Sequence, residues 1–181
     1  MRYAYSVIHK YVCMSDSKPF TVEVIVEIPR GSRNKYEMDH KTHVIKFDRM
    51  LYSAVHYPSD YGFIVDTLGQ DGDPLDALVL LWEPTFPGCL IEVKPIGIFK
   101  MIDGGDHDEK IICVPIADPL NNHMEKLADV QPHLLKEIEH FFSTYKELEG
   151  KKVVVEGWGD AEEAIKIIGE CQKRHQEQPK A

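Results

Sequence analysis

Three aspartates lie within six residues in the segment DGDPLD at positions 71–76, directly before an apolar run at 77–82. Carboxylates at such short spacing repel one another unless solvent or a cation neutralises them. Gly72 and Pro74 favour a tight turn, and the apolar run favours a buried strand that anchors it. Rigid, clustered oxygen ligands suit a hard divalent cation such as Mg²⁺. The segment therefore indicates a metal site, with a solvated acidic turn as the structural alternative.

Two common explanations of the aspartates do not fit. An EF-hand loop starting at Asp71 requires Gly at 76 and Glu at 82, where the chain has Asp76 and Trp82. A phosphoryl-accepting aspartate follows a core strand, whereas here the apolar run comes after the cluster. Neither GxxxxGK(S/T) nor GxGxxG is present, so nucleotide binding by such a loop has no support.

Further acidic, basic and phenolic residues could complete a site. A second acidic segment, DGGDHDEK at 103–110, is typical of an exposed hairpin but could contribute more metal ligands. Four basic residues lie beside acidic or aromatic neighbours, and each alone is typical of a surface charge: Lys35, Arg49, Lys110 and Lys146. Tyr145 falls on an apolar stripe and Tyr61 in an aromatic turn, so packing is the default role for both. No histidine pattern points to zinc.

Composition excludes several classes of protein. The 181 residues carry 30 acidic and 21 basic side chains, a net charge of −9 that argues against nucleic acid or an anionic membrane as the main partner. Four cysteines without CxxC pairing suggest neither zinc nor disulfides. Since no signal peptide or membrane span is recognisable, we expect a soluble cytoplasmic protein with one domain over 1–181.

The elements that must position these residues follow from periodicity. Alternation and apolar runs predict strands at 20–28, 35–38, 43–47, 77–82, 90–101, 110–115 and 152–156, with an aromatic turn at 57–62. A helical stripe runs from 134 to Gly150, and Asp160 with Glu163 predicts a capped helix over 161–171, followed by a frayed tail at 172–181. This order predicts an α+β fold: a small closed or nearly closed, antiparallel-rich β-barrel (OB-like) flanked by two C-terminal helices.

Together these segments resemble the soluble family I inorganic pyrophosphatases. The DGDPxD turn is the signature of that family, and the other matching motifs are Glu27-Ile28-Pro29, Lys35-Tyr36-Glu37, Asp48-Arg49, Tyr57-Pro58, Asp60-Tyr61-Gly62, Lys100-Met101-x-Asp103, Asp108-x-Lys110, Phe141-Phe142-x-x-Tyr145-Lys146 and Val155-Glu156-Gly157-Trp158. The resemblance covers about residues 22–164, leaves out residues 1–17, and favours the compact bacterial form. Only the loop at 104–107 departs locally.

The resemblance implies a role for each matching position. Asp71, Asp76 and Asp108 would bind two activating Mg²⁺ ions, and Asp103 and Glu27 would hold further metal with the substrate. Asp73 would orient or deprotonate the attacking water. Glu37 would stabilise the residues that bind phosphate without contacting the substrate itself. Phosphate binding would fall to Lys35, Arg49, Tyr61, Lys110, Tyr145 and Lys146, and Tyr145 would also donate to the departing phosphate.

The implied reaction is Mg²⁺-dependent hydrolysis of pyrophosphate to two orthophosphates. Pyrophosphate repels an anionic nucleophile, so metals that lower the pKa of water and cations that neutralise oxygens explain the residue set. We expect direct attack of metal-activated water without a phosphoenzyme, Mn²⁺ or Zn²⁺ as possible substitutes, and a homohexamer. Two alternatives stay open: a metal- or ligand-binding barrel module without turnover, and a broader nucleotide phosphohydrolase.

Overall fold

The computed structural model describes residues 18–178, so the segment 1–17 and the end of the predicted frayed tail lie outside the described part. The elements are β1 (Val22–Ile28), β2 (Asn34–Asp39), β3 (Val44–Met50), β4 (Asp60–Ile64), β5 (Asp76–Val79), β6 (Leu90–Asp103), β7 (Asp106–Pro115), α1 (Pro132–Thr144), β8 (Val153–Gly159) and α2 (Ala161–Gln176). Short 3₁₀ turns lie at Leu127–Asp129 and Glu147–Glu149.

Five strands form a ring. β1 pairs with both β4 and β6, β4 with β5, β5 with β7, and β7 with β6, which returns to β1. Every one of these pairings is antiparallel except β5–β7. β8 extends the sheet from β6, and β2–β3 form a separate hairpin. This ring with two C-terminal helices confirms the predicted α+β fold.

The two helices cover opposite faces of the long strands β6 and β7. Phe99 and Ile112 join the cluster that contains Phe142 of α1, whereas their sequence neighbours Ile98 and Ile111 join the cluster that contains Ile168 of α2. This division follows from the two-residue period of a strand. Burial of a large apolar side chain contributes about 1.5–3 kcal/mol. Packing of these faces therefore holds the helices in place more than helix propensity does.

One segment that the sequence predicts as a turn is instead a strand. β4 is buried along its whole length, so it lacks the alternation that marks a half-exposed strand. Gly62 permits this position because a Cβ there would lie 1.9 Å from the carbonyl oxygen of Ile25 on β1. Buried Asp60 accepts hydrogen bonds from the backbone N–H groups of Arg30 (2.7 Å) and Thr85 (2.9 Å). Tertiary contacts thus override the local turn signals.

The helix boundaries also differ from the sequence prediction. α1 ends at Thr144 rather than at Gly150, which closes the following 3₁₀ turn in the left-handed region with φ 71°. The predicted cap of α2 is confirmed, since the Asp160 side chain accepts from the Glu163 N–H at 2.9 Å. α2 continues to Gln176, so fraying from 172 onward is wrong for this stretch. Across residues 18–178, no helix combines the length and apolar character needed to cross a membrane.

Candidate active site

Nearly all the predicted site residues meet in one pocket. The pocket has a volume of about 330 Å³ and lies where the β2–β3 hairpin, the β4–β5 loop, the β6–β7 hairpin and the end of α1 come together. Twelve of the thirteen predicted residues line it: Glu27, Lys35, Glu37, Tyr61, Asp71, Asp73, Asp76, Asp103, Asp108, Lys110, Tyr145 and Lys146. Arg49 is not among the lining residues.

The loop between β4 and β5 brings its three aspartates to the pocket. The backbone N–H of Asp73 donates to Oδ1 of Asp71 at 3.1 Å, and the N–H of Gly69 donates to the Asp73 carbonyl at 2.6 Å. Gly72 takes a φ of 96°, which favours glycine. Asp76 begins β5, where its Oδ2 accepts a hydrogen bond from the Tyr61 hydroxyl. The loop is therefore a folded turn, as its Gly and Pro predict.

Lys110 links the aspartate loop to the β6–β7 hairpin. The parallel register of β5 and β7 places it opposite Asp76, and its ammonium donates to both Asp76 and Asp108. The ammonium also lies 5.7 Å from the Tyr61 ring centroid and 5.8 Å from that of Phe142. Burial alone would lower the pKa of Lys110, but the two carboxylates outweigh it and the net pKa is raised. Lys110 is therefore a fixed positive charge.

Several pocket carboxylates are held in an unfavourable electrostatic environment. Burial, opposed by a 2.6 Å hydrogen bond from the Met38 N–H and reinforced by Asp76, raises the pKa of Glu27 to about 7. Burial followed by repulsion from Asp71 and Asp76 raises the pKa of Asp73. Burial also raises the pKa of Asp108, although Lys110 opposes the shift. Additional positive charge in the pocket would stabilise the ionised forms of these acids.

Two more basic residues pair with acids at the pocket. Lys146 donates to Asp103, and its ammonium lies 5.1 Å from the Tyr145 ring centroid. Lys35 donates to Glu37 and lies 3.6 Å from Asp48. Burial, and then the charges of Asp103 and Asp108, raise the pKa of Tyr145, so its phenol stays protonated. The pocket thus combines ammonium groups, carboxylates and a neutral hydroxyl donor.

The Arg49 side chain is oriented by a residue outside the predicted site, Glu149. Its Nε and Nη2 donate to the Oε1 and Oε2 of Glu149 at 3.1 and 3.3 Å, and its Nη1 donates to Asp48. Glu149 lies in the 3₁₀ turn after Tyr145 and Lys146, 100 residues further along the chain. No sequence signal marked Glu149 as a partner, because only the tertiary fold brings the β3 strand to this turn.

The carboxylates suit a divalent cation by their chemistry. All the candidate ligands offer oxygen atoms, the donors that Mg²⁺ prefers. Within residues 18–178, no three Asp, Glu, His or Cys side chains already form a ready ligand cluster. Lys110 accounts for this around Asp76 and Asp108, since its ammonium occupies the space between the two. The donor set and the raised pKa values of its acids fit a metal that shares these carboxylates.

Eight further residues that sequence reasoning did not select as site residues line the pocket: Met38, His40, Tyr57, Phe63, Pro74, Asp106, His107 and Phe142. Tyr57 is buried, with its ring 5.4 Å from that of Tyr61, and its Tyr-Pro motif could have identified it. His40 packs edge-on against Phe63 at the pocket. Asp106 and His107 begin β7 and belong both to the acidic segment 103–110 and to the stretch 104–107 that departs from the family pattern. Phe142 is part of the Phe141-Phe142-x-x-Tyr145-Lys146 motif, whereas no pattern points to a functional role for His40.

Comparison with known proteins identifies relatives over most of the described region. A family model described as inorganic pyrophosphatase matches residues 24–176, which include α2 to its end. The inorganic pyrophosphatase of Methanosarcina mazei is 60% identical over 157 residues, covering 87% of this chain and 93% of that protein. That of Halalkalibacterium halodurans is 51% identical over 158 residues, covering 87% and 97%. The crystal structure of the Thermus thermophilus inorganic pyrophosphatase superposes with a TM-score of 0.84 at 44% identity, covering 90% of this chain and 95% of that one.

Proposed function

The chain belongs to the inorganic pyrophosphatase family, and from this premise we propose that the pocket described above is where it hydrolyses pyrophosphate to two orthophosphates. The observation that carries this assignment is the charge distribution of the pocket. Eight carboxylates and three lysines line the same 330 Å³ space. An excess of acids recruits cations, and the cations together with the lysines then offset the charge of a polyanionic substrate.

A divalent metal is the cofactor of this family, and we propose Mg²⁺ as the metal used here. Asp71, Asp76 and Asp108 would hold two activating ions, and Asp103 and Glu27 would hold further metal together with substrate. When bound, such metals lower the pKa of water and polarise phosphoryl oxygens. Mn²⁺ and Zn²⁺ share a preference for some of these ligands and are candidate substitutes.

Asp73 is the residue that would handle the attacking water. It lies between Asp71 and Asp76 in the loop, and its raised pKa makes it a better proton acceptor than an exposed aspartate. Water would attack one phosphorus directly, the bond from that phosphorus to the bridging oxygen would break, and no covalent phosphoenzyme would form. Asp73 would accept the proton that the water loses.

Basic and phenolic residues would bind and neutralise the two phosphates. Lys35, Lys110 and Lys146 already line the pocket as charged donors. Tyr145, whose phenol stays protonated, would donate to the phosphate that leaves, and Tyr61 would help bind the phosphates from beside Asp76. Such donors stabilise charge that develops in the transition state.

Arg49 and Glu37 would support phosphate binding from the rim of the pocket. Arg49 would reach the substrate from its pair with Glu149, and Glu37 would hold Lys35 in place.

A non-catalytic binding module is not favoured, because an ion site alone does not require three lysines and a buried phenol. A broader nucleotide phosphohydrolase is not favoured either, since the sequence contains no base-binding motif.

The wider setting of the enzyme is also a proposal. We place residues 1–181 in one pyrophosphatase domain that works in the cytoplasm, independently of nucleic acid and membranes. We propose a homohexamer, as the family resemblance implies. Exposed apolar side chains such as Trp82 (65% exposed) and Phe86 (66% exposed) supply surface that such an assembly could bury. Light scattering on the purified protein would measure the mass and test the assembly.

The site is tested by removing single charges from the aspartate loop. Asp71→Asn and Asp73→Asn should each reduce Mg²⁺-dependent phosphate release by about 100-fold or more while the protein stays folded. Asp66→Asn is the matched control: Asp66 is exposed and lies in the same loop but outside the pocket, so this substitution removes the same charge without touching the site. Undiminished turnover in Asp71→Asn and Asp73→Asn would remove the proposed site.

A further inference from the structure

The last turns of α2 hold the loop that carries the aspartates. This aspartate loop, residues 65–75, follows β4 and leads into β5. The backbone N–H of Leu68 donates to the carbonyl of Cys171 at 3.1 Å, and the Leu68 carbonyl accepts a hydrogen bond from Nη1 of Arg174. Both polar backbone groups of Leu68 are thus satisfied by α2, more than 100 residues away along the chain.

The contact at Leu68 leads directly to the aspartates. Gly69 donates its N–H to the Asp73 carbonyl at 2.6 Å. A Cβ at Gly69 would lie 2.5 Å from Oδ1 of Asp71, so the backbone here packs directly against that carboxylate. A displacement of Leu68 and Gly69 would therefore move both Asp71 and Asp73.

The helix that makes these contacts is itself firmly anchored. Cys171 is buried in the same cluster as Ala164 and Ile168, and Nη1 of Arg174 lies 3.6 Å from its sulfur. By contrast, His175 lies 3.7 Å from Asp66 with both side chains exposed, a kind of pair that contributes little. Arg174 is therefore the side chain through which α2 holds the loop.

We propose that Arg174 is a positioning residue for the metal-dependent reaction. It fixes the aspartate loop so that Asp71 and Asp73 stay at the pocket despite the repulsion between their carboxylates. The inference rests on the proposed function for its catalytic consequence but not for its structural one. Residues that orient metal ligands without touching the metal commonly change metal affinity or activity by about 10–100-fold when they are replaced.

The test compares Arg174→Gln with Arg174→Lys and with a control on the same helical turn. Lys173→Gln is that control, because Lys173 is exposed and forms a long i,i+4 ion pair with Glu177, at 3.9 Å. Binding of Mg²⁺ or Mn²⁺ is measured by calorimetry without substrate, and backbone amide exchange is followed by mass spectrometry in chelator. Turnover is then recorded against Mg²⁺ concentration for all three variants and for the unmodified protein.

We expect Arg174→Gln to bind the cation about 10-fold more weakly. Amide exchange should accelerate in residues 65–75 while exchange in β6 and β7 stays as in the unmodified protein. The Mg²⁺ concentration that gives half-maximal turnover should rise in parallel. The cation affinity, loop exchange and Mg²⁺ requirement of Arg174→Lys should lie between those of Arg174→Gln and those of the unmodified protein, because lysine keeps the charge but lacks the guanidinium geometry. Lys173→Gln should match the unmodified protein.

Two results would overturn the proposal. The first is unchanged cation affinity and unchanged loop exchange in folded Arg174→Gln. The second is faster exchange throughout the sheet, which would make Arg174 a general stabilising residue. If Arg174→Gln does not fold, unchanged affinity and exchange in Arg174→Lys overturn it equally. A lack of turnover in the unmodified protein would instead refute the proposed function, and the binding and exchange data would still decide the role of Arg174.

Discussion

Replacement of Lys110 by Met should destabilise the protein in a way that divalent cations relieve. The Lys110 side chain is only 2% exposed and donates to Asp76 and Asp108, whose side chains are 25% and 22% exposed. Removing one member of a buried ion pair costs about 3–5 kcal/mol because the remaining charge is left uncompensated. Since both partner carboxylates retain some contact with water, we expect the lower end, about 3 kcal/mol.

In a chain of this size each kcal/mol shifts the melting temperature by about 2–4 °C, so the loss corresponds to about 6–12 °C in chelator. A cation that binds the native state stabilises it by about 2.7 kcal/mol at 100 times its dissociation constant. In Lys110→Met the cation has no ammonium to displace from Asp76 and Asp108. Saturating Mg²⁺ should therefore narrow the difference in melting temperature between the variant and the unmodified protein by at least half.

The control is a second buried lysine outside the pocket. The Lys94 side chain is 7% exposed and pairs with Glu125, which is 70% exposed. Lys94→Met should lower the melting temperature by the same amount with and without Mg²⁺, as measured by differential scanning fluorimetry. Equal destabilisation of Lys110→Met in chelator and in Mg²⁺, or none in chelator, would refute the view that Lys110 and the cation share these carboxylates.

Two further predictions concern Glu27 and Gly62. The folded state raises the pKa of Glu27 from 4.5 to about 7, so its ionisation is harder in the folded protein and its contribution to stability is lost as the pH rises through this window. As the pH rises from 4.5 to about 7 in chelator, the free energy of unfolding of Glu27→Gln should therefore increase by about 3 kcal/mol relative to that of the unmodified protein, as measured by urea unfolding. The two proteins should not differ below pH 4.5, and a constant difference at all pH values would contradict this. Gly62→Ala, whose Cβ would lie 1.9 Å from the Ile25 carbonyl oxygen, should lose at least about 3 kcal/mol, whereas Gly169→Ala, which has open space around it, should gain about 0.5–1 kcal/mol. Equal effects of the two glycine substitutions on urea unfolding would show that β1 and β4 can separate to accept the methyl group.

Sequence patterns predicted the strands and helices with clear periodicity and most of the pocket. β1 alternates between buried Val24 and exposed Glu23, and the Asp160 cap is local chemistry, so neither depends on distant contacts. The aspartate turn is likewise encoded by its own Gly and Pro. Motifs that resemble a known family then identified residues that no local pattern would have grouped, such as Lys35 and Lys146.

The misses share a physical cause, which is dependence on distant parts of the chain. β4 lacks alternation because β1 and β5 flank it and both its faces are buried. The C-terminal residues of α2 are polar and read as a tail, yet Arg174 is held by the Leu68 carbonyl. Glu149 likewise gains its role only through Arg49, 100 residues away. A polar residue whose partner lies across the fold gives no sign of it in the sequence.

The topology of the ring explains why the site lies where it does. Among the pairings of strands within residues 18–178, β5–β7 is the one parallel pair, and its register sets Asp76 opposite Lys110. β5 follows the aspartate loop, and β7 follows the β6–β7 turn, which Asp103 and Asp106 flank. Parallel strands present the segments before them at the same end of the sheet. Residues 71–75 and the tip of the β6–β7 hairpin are therefore brought together by the same feature that orders the sheet. An antiparallel pairing of β5 with β7 would place the two acidic segments at opposite ends of the sheet, where they could not line one pocket.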